Sequence, residues 1–315
     1  MNMSNAQTTL ETKKVTEKKD IVDNYLLLGA PLSGKTTYFC CMAEYLQRLA
    51  TSCGRFGFKF CDNHTARFIN TQMKLLRNGE WPVKTPKKDQ QDYRFQLDYE
   101  KRILGIKFYT ECVDILYHDY PGEAFNDAFL DTSSGRYESD VKDLKEKILF
   151  AKGIFLMLDV KDIFNEKNVD ALQEALFAMI KYLKNETIRP PKLALIFNKI
   201  ELIPNYSHDE YVEKFKKLFM HVYQWLCDME YKFFSVYTLG GECQTSEAGK
   251  IIPPKELHPR WVEEPVNWMI HFIGKRSLYV SQSLDDAREI DNSSDCCYNN
   301  RFSFLGRLCN HLQNH

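Results

Sequence analysis

A short segment near the start of the chain has the residue types and the spacing that bind the phosphates of a nucleotide. Residues 29–36 have the sequence Gly-Ala-Pro-Leu-Ser-Gly-Lys-Thr, which matches the pattern G-x-x-x-x-G-K-[ST]. A glycine at each end lets the backbone turn with positive φ and approach a ligand closely, so that successive N–H groups point at phosphate oxygens. The segment therefore predicts a phosphate-binding loop.

The side chains of this loop have separate predicted roles. Lys35 places a compact cation at the outer phosphates, where we also count it as catalytic, and Thr36 places a hydroxyl oxygen at Mg²⁺. The helix that begins here adds its positive dipole end. The residues of this segment predicted to bind the nucleotide are Gly29, Ser33, Gly34, Lys35, Thr36 and Thr37.

A second motif lies where a later strand ends. Asp119-Tyr120-Pro121-Gly122 fits D-x-x-G, in which Asp119 holds Mg²⁺ through water and the N–H of Gly122 reaches a γ-phosphate. The alternative is an ordinary Asp-x-Pro-Gly turn. Its position after a strand, downstream of a phosphate-binding loop, favours the functional interpretation, because ligands in open α/β sheets bind at the carboxyl ends of strands.

A third motif predicts recognition of the base. Asn198-Lys199-Ile200-Glu201 ends an apolar strand and resembles the guanine-binding N-K-x-D of GTPases, with Glu201 in place of Asp. A carboxylate there accepts hydrogen bonds from N1–H and the exocyclic amine of guanine, which adenine does not offer. Lys199 is expected to lie along the base, Asn198 to tie this turn to the phosphate loop, and the backbone N–H of Thr238 to contact guanine O6.

A threonine between the first helix and Asp119 is needed to fold over Mg²⁺ and the γ-phosphate. Thr85, which follows Trp81-Pro82 in an exposed loop, is the predicted residue, both as a metal ligand and as part of the catalytic set. Three other threonines of this stretch lie in predicted helix or strand and fit less well: Thr65, Thr71 and Thr110.

The elements that must position these motifs are predicted from hydrophobic periodicity. An apolar strand over 21–28 precedes the loop, and a helix with one apolar face follows it to about Ala50. Asp62 and Gly79 are expected to cap and end a second helix. Alternating residues from Tyr93 to His118 predict two or three antiparallel strands, and strands alternate with helices from there on.

The predicted fold class is therefore α/β, a three-layer P-loop NTPase sandwich with a mainly parallel sheet and an antiparallel strand or hairpin. We expect a disordered segment at 1–20, one domain over 21–274 with a long insertion at 51–91, and a loosely ordered polar tail at 275–315. The helix predicted over 207–229 lies in the second half of this domain.

Composition limits the possible partners and the location. The 315 residues have a net charge of -1, and so no overall basic field favours nucleic acid or an anionic membrane. Neither a signal peptide nor a membrane-spanning stretch is evident, which predicts a soluble cytoplasmic protein. The ten cysteines form no disulfide pattern, and Cys53, Cys61 and His64 lack the C-x-x-C pair typical of zinc sites.

Taken together, the motifs resemble the double-GTPase-type (DO-GTPase) family of Ras-like P-loop GTPases. Besides the phosphate loop, the resemblance depends on Trp-Pro-x-x-Thr at 81–85, Asp-x-Pro-Gly-Glu at 119–123, Asn-Lys-x-Glu at 198–201 and a proline-rich approach to a tryptophan-containing helix at 259–268. It implies binding of GTP and GDP with Mg²⁺, slow hydrolysis, and a switch role in signalling or in a prokaryotic conflict system with a protein effector or activator.

Two positions bear on catalysis in such an enzyme. Glu123 occupies the place where Ras-like enzymes carry a water-orienting Gln, and its charge beside the γ-phosphate predicts weak turnover. Arg136 is a candidate arginine finger. Two other functions stay open from the sequence: an ATP-dependent P-loop NTPase or phosphotransferase, and a nucleotide-binding scaffold that does not hydrolyse.

Overall fold

The structure, a computed structural model, describes residues 25–53, 56–82, 92–103, 106–118, 122–130, 138–164, 169–187, 189–203, 205–246 and 249–270. Apart from Ile270, the described residues all belong to one compact unit, Met1–Met269. The predicted segments at 1–20 and 275–315 lie outside the described residues, so the domain boundaries stay a prediction.

The described elements follow one another in this order along the chain: β1 (Tyr25–Gly29), α1 (Lys35–Cys53), β2 (Phe56–Phe60), α2 (Asn63–Arg77), β3 (Asp92–Ile103), β4 (Ile106–His118), α3 (Gly122–Phe129), α4 (Glu138–Leu149), β5 (Gly153–Asp159), α5 (Val160–Phe164), α6 (Val169–Glu186), β6 (Lys192–Asn198), a 3-10 helix (Ile200–Leu202), α7 (His208–Leu218), α8 (Met220–Leu226), β7 (Tyr231–Ser235), β8 (Gln244–Thr245), β9 (Ile251–Ile252) and α9 (Glu264–Ile270).

A parallel sheet of four strands forms the centre of the fold, in the order β1-β5-β6-β7. Every residue of β1 and β5 is buried, as is typical of parallel strands with helices on both faces. The register pairs Gly29 of β1 with Met157 of β5, and Asp159 of β5 with Asn198 of β6. Two of the predicted motifs, the phosphate loop after β1 and the base motif after β6, therefore begin at the same edge of this sheet.

Helices cover both faces of the parallel sheet. On one face, α3, α4, α6, α7 and α8 share a continuous apolar core with alternate strand residues such as Leu28, Leu156 and Phe197. On the other face lies α1, where the hydroxyl of Tyr38 donates a hydrogen bond at 2.9 Å to the carbonyl oxygen of Val262, two residues before α9. The predicted three-layer α/β fold is confirmed.

A separate antiparallel sheet, β2-β3-β4, extends the molecule beside β1. Its inner face packs on α1, where the ring of Phe39 lies 4.7 Å from that of Tyr117. Helix α2 packs on the same sheet through Phe68, whose ring stacks on Tyr93 at 3.7 Å. The predicted antiparallel pairing is confirmed as one long hairpin of β3 and β4.

Several local elements differ from the sequence prediction. Strand β2 was not predicted, since Gly57 weakens a short strand that is completed only by pairing with β3. Helix α3 continues through the polar residues Asn126 and Asp127, because Phe125 and Phe129 on either side pack in the core. The helix predicted over 207–229 is divided into α7 and α8 at Phe219, which leaves helical geometry with φ -112° and ψ 41°.

The capping of α2 follows the prediction. The carboxylate of Asp62 accepts a hydrogen bond from the N–H of Thr65 at 2.6 Å, and Gly79 has φ 77° just after the helix ends. Among the described helices, none combines the length and the hydropathy that a transmembrane segment requires.

Candidate nucleotide-binding site

The phosphate-binding loop has the backbone conformation that its glycines predict. Gly29 and Gly34 have φ values of 153° and 87°, and a Cβ on Gly34 would lie 2.4 Å from Nδ2 of Asn198. Leu32 also has a positive φ, 60°, although it is not glycine, and its side chain is 76% exposed. The loop is thus tightly apposed to the base motif and cannot accept a side chain at Gly34.

The ammonium group of Lys35 lies over its own loop. It donates hydrogen bonds to the carbonyl oxygens of Gly29 at 2.9 Å and Ala30 at 3.0 Å. Both contacts are local, and the side chain is only partly buried. An ammonium group forms stronger hydrogen bonds with an anion than with neutral carbonyl oxygens. A phosphate oxygen would therefore be a better partner for Lys35 at this position.

Thr36 supplies the described part of the predicted metal site. Its hydroxyl oxygen is a hard donor of the kind that Mg²⁺ prefers, at the first turn of α1 and partly exposed. It lies 3.1 Å from the hydroxyl oxygen of Tyr117 on β4. This donor fits Mg²⁺; the other two predicted ligands, Thr85 and Asp119, lie outside the described residues.

Asn198 connects the base motif to the phosphate loop, as its position in the sequence predicts. Its Nδ2 donates a hydrogen bond to the carbonyl oxygen of Ser33 at 2.8 Å, and its Oδ1 accepts one from the hydroxyl of Thr238 at 2.5 Å. Asn198 is buried, with 1% of its surface exposed, so each of these bonds satisfies a group that has lost its water.

Lys199 spans the gap between the same two segments. Residue 199 adopts a left-handed conformation with φ 63°, and its ammonium group donates to the carbonyl oxygen of Leu32 at 2.5 Å. The two non-glycine residues with positive φ at this site are therefore bonded to each other. Cε of Lys199 lies 3.6 Å from where a Cβ on Gly34 would be, so the aliphatic stem crosses the loop.

Asp159 is a site residue that sequence reasoning missed. Its Oδ2 lies 2.5 Å from the ammonium nitrogen of Lys199, and its Oδ1 accepts a hydrogen bond from the N–H of Lys161 at 2.9 Å. Only 7% of its surface is exposed. The available signal was its position: Asp159 ends an apolar strand beside β6, at the edge where the other motifs lie.

Glu201 points its carboxylate into the turn that follows β7. Oε1 accepts hydrogen bonds from the N–H of Leu239 at 2.8 Å and, more weakly, from that of Gly240 at 3.4 Å. Burial raises the pKa of the Glu201 carboxyl, and these backbone hydrogen bonds oppose the rise. The hydroxyl of Thr238, whose N–H is the predicted base contact, donates a hydrogen bond to Asn198.

A distant segment supports this turn from behind. The N–H of His258 donates to the carbonyl oxygen of Leu239 at 2.9 Å, and Tyr237 pairs with Arg260 as an antiparallel bridge. Gly240 has φ 68°, and a Cβ there would lie 1.5 Å from the carbonyl oxygen of His258. We call Tyr237–Gly240 the base turn and His258–Arg260 its brace.

Other predicted site residues are placed only in part. Ser33 is buried, and Thr37 lies in the first turn of α1. Gly122 begins α3, and the side chain of Glu123, like Arg136, lies outside what the structure describes. Within the described residues, no cluster of three or more His, Cys, Asp and Glu side chains could hold a metal ion.

Several solved structures of GTP-binding proteins are similar to this chain. Nucleolar GTP-binding protein 1 from Plasmodium falciparum is 13% identical, with 86% of this chain and 95% of that one covered and a TM-score of 0.34. The small COPII coat GTPase of Encephalitozoon cuniculi, in complex with GDP, is 13% identical, with 85% and 82% covered and a TM-score of 0.33.

A further similar structure is the Ski7 GTPase-like domain of S. cerevisiae, bound to GTP. It is 14% identical, with 87% of this chain and 51% of that chain covered and a TM-score of 0.40. No curated protein matches the chain. The family model for Double-GTPase 2 matches residues 27–234, which include the phosphate loop and the base motif; the chain therefore belongs to the Double-GTPase 2 family of GTP-binding proteins.

Proposed function

We propose that this chain is a magnesium-dependent GTPase that hydrolyses GTP slowly and works as a nucleotide-dependent switch. The observation that carries the proposal is the direct bonding of the base motif to the phosphate loop. Asn198 donates to the carbonyl of Ser33, and Lys199 donates to that of Leu32. These two bonds hold the base motif beside the phosphate loop. A single ligand with a base at one end and phosphates at the other could therefore contact both segments.

The base end supports guanine. Oε1 of Glu201 accepts hydrogen bonds from the N–H groups of Leu239 and Gly240. A bound guanine would replace these donors with its N1–H and exocyclic amine, and the two N–H groups would then be donors for O6. Adenine has an acceptor at N1 and an amine at C6, so both contacts would be mismatched. Leaving a buried carboxylate unpaired is costly, which makes this mismatch discriminating.

Magnesium would be held by Thr36 together with Thr85 and Asp119, the predicted ligands. When bound, Mg²⁺ supplies positive charge that neutralises the β- and γ-phosphate oxygens during transfer. Lys35 adds a second cation on the phosphate side. The side chains of this chain would therefore position the phosphates and stabilise charge rather than form a covalent intermediate.

The switch part of the proposal concerns two loops. Contacts of Thr85 and Gly122 with the γ-phosphate would order their loops in the GTP state and release them after hydrolysis. Glu123, in place of a water-orienting Gln, brings like charge to the phosphate and keeps turnover slow without a partner. We therefore propose a cytoplasmic role in signalling or a prokaryotic conflict system, with a protein effector or activator.

The proposal is tested by measuring nucleotide competition and phosphate release with the purified protein. We expect GTP and GDP to compete with a fluorescent GDP analogue at least tenfold better than ATP and ADP, and phosphate to be released slowly. Lys35→Met should weaken binding by about thirtyfold, because it removes a charge-assisted hydrogen bond worth about 2 kcal/mol. Lys216→Met, at a surface ion pair with Glu213, is the matched control and should bind normally.

Two results would overturn parts of this proposal. Equal competition by ATP would favour the ATP-dependent NTPase or phosphotransferase. Tight GTP binding without phosphate release, even with candidate partners added, would favour the non-hydrolysing scaffold.

A further inference from the structure

A buried tyrosine touches the threonine hydroxyl that would bind the metal. Tyr117, near the end of β4, has 0% of its surface exposed, and its hydroxyl oxygen lies 3.1 Å from Oγ1 of Thr36. The two residues are 81 positions apart in the chain. No part of the family's motifs accounts for a phenol at this place.

The ring of Tyr117 is held so that its hydroxyl has little freedom to move. It packs 4.7 Å from the ring of Phe39 on α1 and stacks at 6.0 Å on Tyr93 of the neighbouring strand β3. Because both partners are buried in the core, the phenol oxygen occupies a defined position next to the start of α1. Thr36 therefore meets a fixed hydrogen-bonding partner and not a mobile surface group.

The chemistry of a threonine hydroxyl gives this contact a consequence. The group has one proton and two lone pairs, and a metal takes a lone pair, so the proton must point away from the metal toward an acceptor. A hydrogen bond from a ligand to a second residue fixes the ligand's orientation and makes its oxygen a better donor to the metal. The oxygen of Tyr117 is placed to accept that proton.

We propose that Tyr117 is a positioning residue of the magnesium site, which accepts the Thr36 hydroxyl proton and so directs a lone pair of Oγ1 at Mg²⁺. The proposal rests on the proposed function, since it concerns the metal of the same nucleotide site. Loss of the Tyr117 hydroxyl should therefore weaken nucleotide binding in the presence of Mg²⁺ and leave the affinity measured without metal unchanged.

The test is Tyr117→Phe, which removes one oxygen and keeps the ring. A fluorescent GDP analogue is titrated against the full chain in EDTA, and Mg²⁺ is then titrated at fixed nucleotide. We expect the affinity in EDTA to stay unchanged and the Mg²⁺ concentration at half-effect to rise by about threefold to tenfold, as expected for one lost hydrogen bond. Tyr93→Phe, a buried tyrosine in the same aromatic stack, is the control and should leave both values unchanged.

A double variant tests whether Tyr117 acts through Thr36. In a Thr36→Ala background, Tyr117→Phe should have no further effect on the Mg²⁺ dependence. An unchanged or lower Mg²⁺ requirement in Tyr117→Phe, or an equal loss of affinity in EDTA and in Mg²⁺, would overturn the proposal. Failure of the wild-type chain to bind the GDP analogue at all would instead contradict the proposed function.

Discussion

The two ends of the nucleotide site are built in different ways. At the base end, polar groups are bonded to parts of the chain that are distant in sequence: Asn198 to Ser33 and Thr238, and Glu201 to Leu239. At the phosphate end, Lys35 donates hydrogen bonds to the carbonyl oxygens of Gly29 and Ala30 within its own loop. The base end thus depends on tertiary packing for its polar groups, whereas the Lys35 ammonium is held by carbonyl oxygens of its own loop.

This difference follows from what each end must do. A base is recognised by fixed donors and acceptors, and buried groups of this kind must be satisfied by the protein to stay in place. A phosphate is recognised by charge and by backbone N–H groups, for which a contiguous glycine-containing loop is sufficient. We therefore expect distant substitutions to damage base recognition more than phosphate binding.

The largest expected effect comes from the brace behind the base turn. Gly240→Ala would combine a left-handed φ of 68° with a Cβ 1.5 Å from a carbonyl oxygen, and should reduce the free energy of unfolding by about 3 kcal/mol or more. Gly249→Ala is the matched control: its φ is 73°, but a Cβ there meets no described atom within 4 Å. That variant should lose only about 1 kcal/mol.

Urea-induced unfolding and GDP affinity, measured on both glycine variants, check this expectation. Equal destabilisation by the two substitutions would show that the contact with His258 contributes nothing beyond backbone conformation. The base end would then depend less on distant packing than its contact with His258 indicates.

An intermediate effect is expected at Glu201. Glu201→Gln keeps the size of the side chain and an acceptor for the N–H of Leu239, but removes the charge that pairs with guanine. GDP affinity should fall by about tenfold, or about 1.4 kcal/mol, while the weak ADP affinity stays the same. Glu213→Gln, at an exposed ion pair, is the control. A parallel loss for GDP and ADP would contradict a role in base selection.

The pH dependence of GDP binding gives an independent check on the same carboxylate. Burial raises the pKa of the Glu201 carboxyl, so this group takes up a proton at a higher pH than an exposed Glu does. As the pH is lowered, GDP affinity should therefore begin to fall at that higher pH. Stability without nucleotide should depend on pH in the opposite sense. Because the folded-state pKa is raised, the contribution of Glu201 to the free energy of unfolding is largest at low pH. That contribution is lost as the pH rises through the folded-state pKa. Glu201→Gln should remove both effects.

The smallest effect is expected at Asp159, which acts on the base end through Lys199. Asp159→Asn keeps the acceptor for the N–H of Lys161 but weakens the contact with the Lys199 ammonium, and GDP affinity should fall by about threefold to fivefold. Asp228→Asn, at an exposed ion pair with Lys184, is the control and should have no effect.

A double variant sharpens this last prediction. If Asp159 works by holding Lys199, Asp159→Asn should cause no further loss of GDP affinity in a Lys199→Met background. Additive losses would mean that Asp159 supports the site in some other way.

The fold could be predicted from the sequence wherever the signal is local and periodic. The apolar strands Gly153–Asp159 and Lys192–Asn198, the amphipathic α1 and the cap at Asp62 all follow from residue type and spacing. The break at Phe219 could not be predicted in this way, because the helical pattern continues through it. At the break, Phe219 is fully buried and its ring packs against the ring of Phe215.

The sequence by itself determined the predicted nucleotide contacts that lie in contiguous motifs, namely the phosphate loop and Asn198 to Glu201. Only the tertiary structure decided that Asp159 holds Lys199, that Tyr117 contacts Thr36 and that His258 supports the base turn. These contacts depend on strand register and on how helices and loops dock, and no local pattern specifies them. For the same reason, they are the contacts at which variants of this chain can separate base recognition, metal binding and stability.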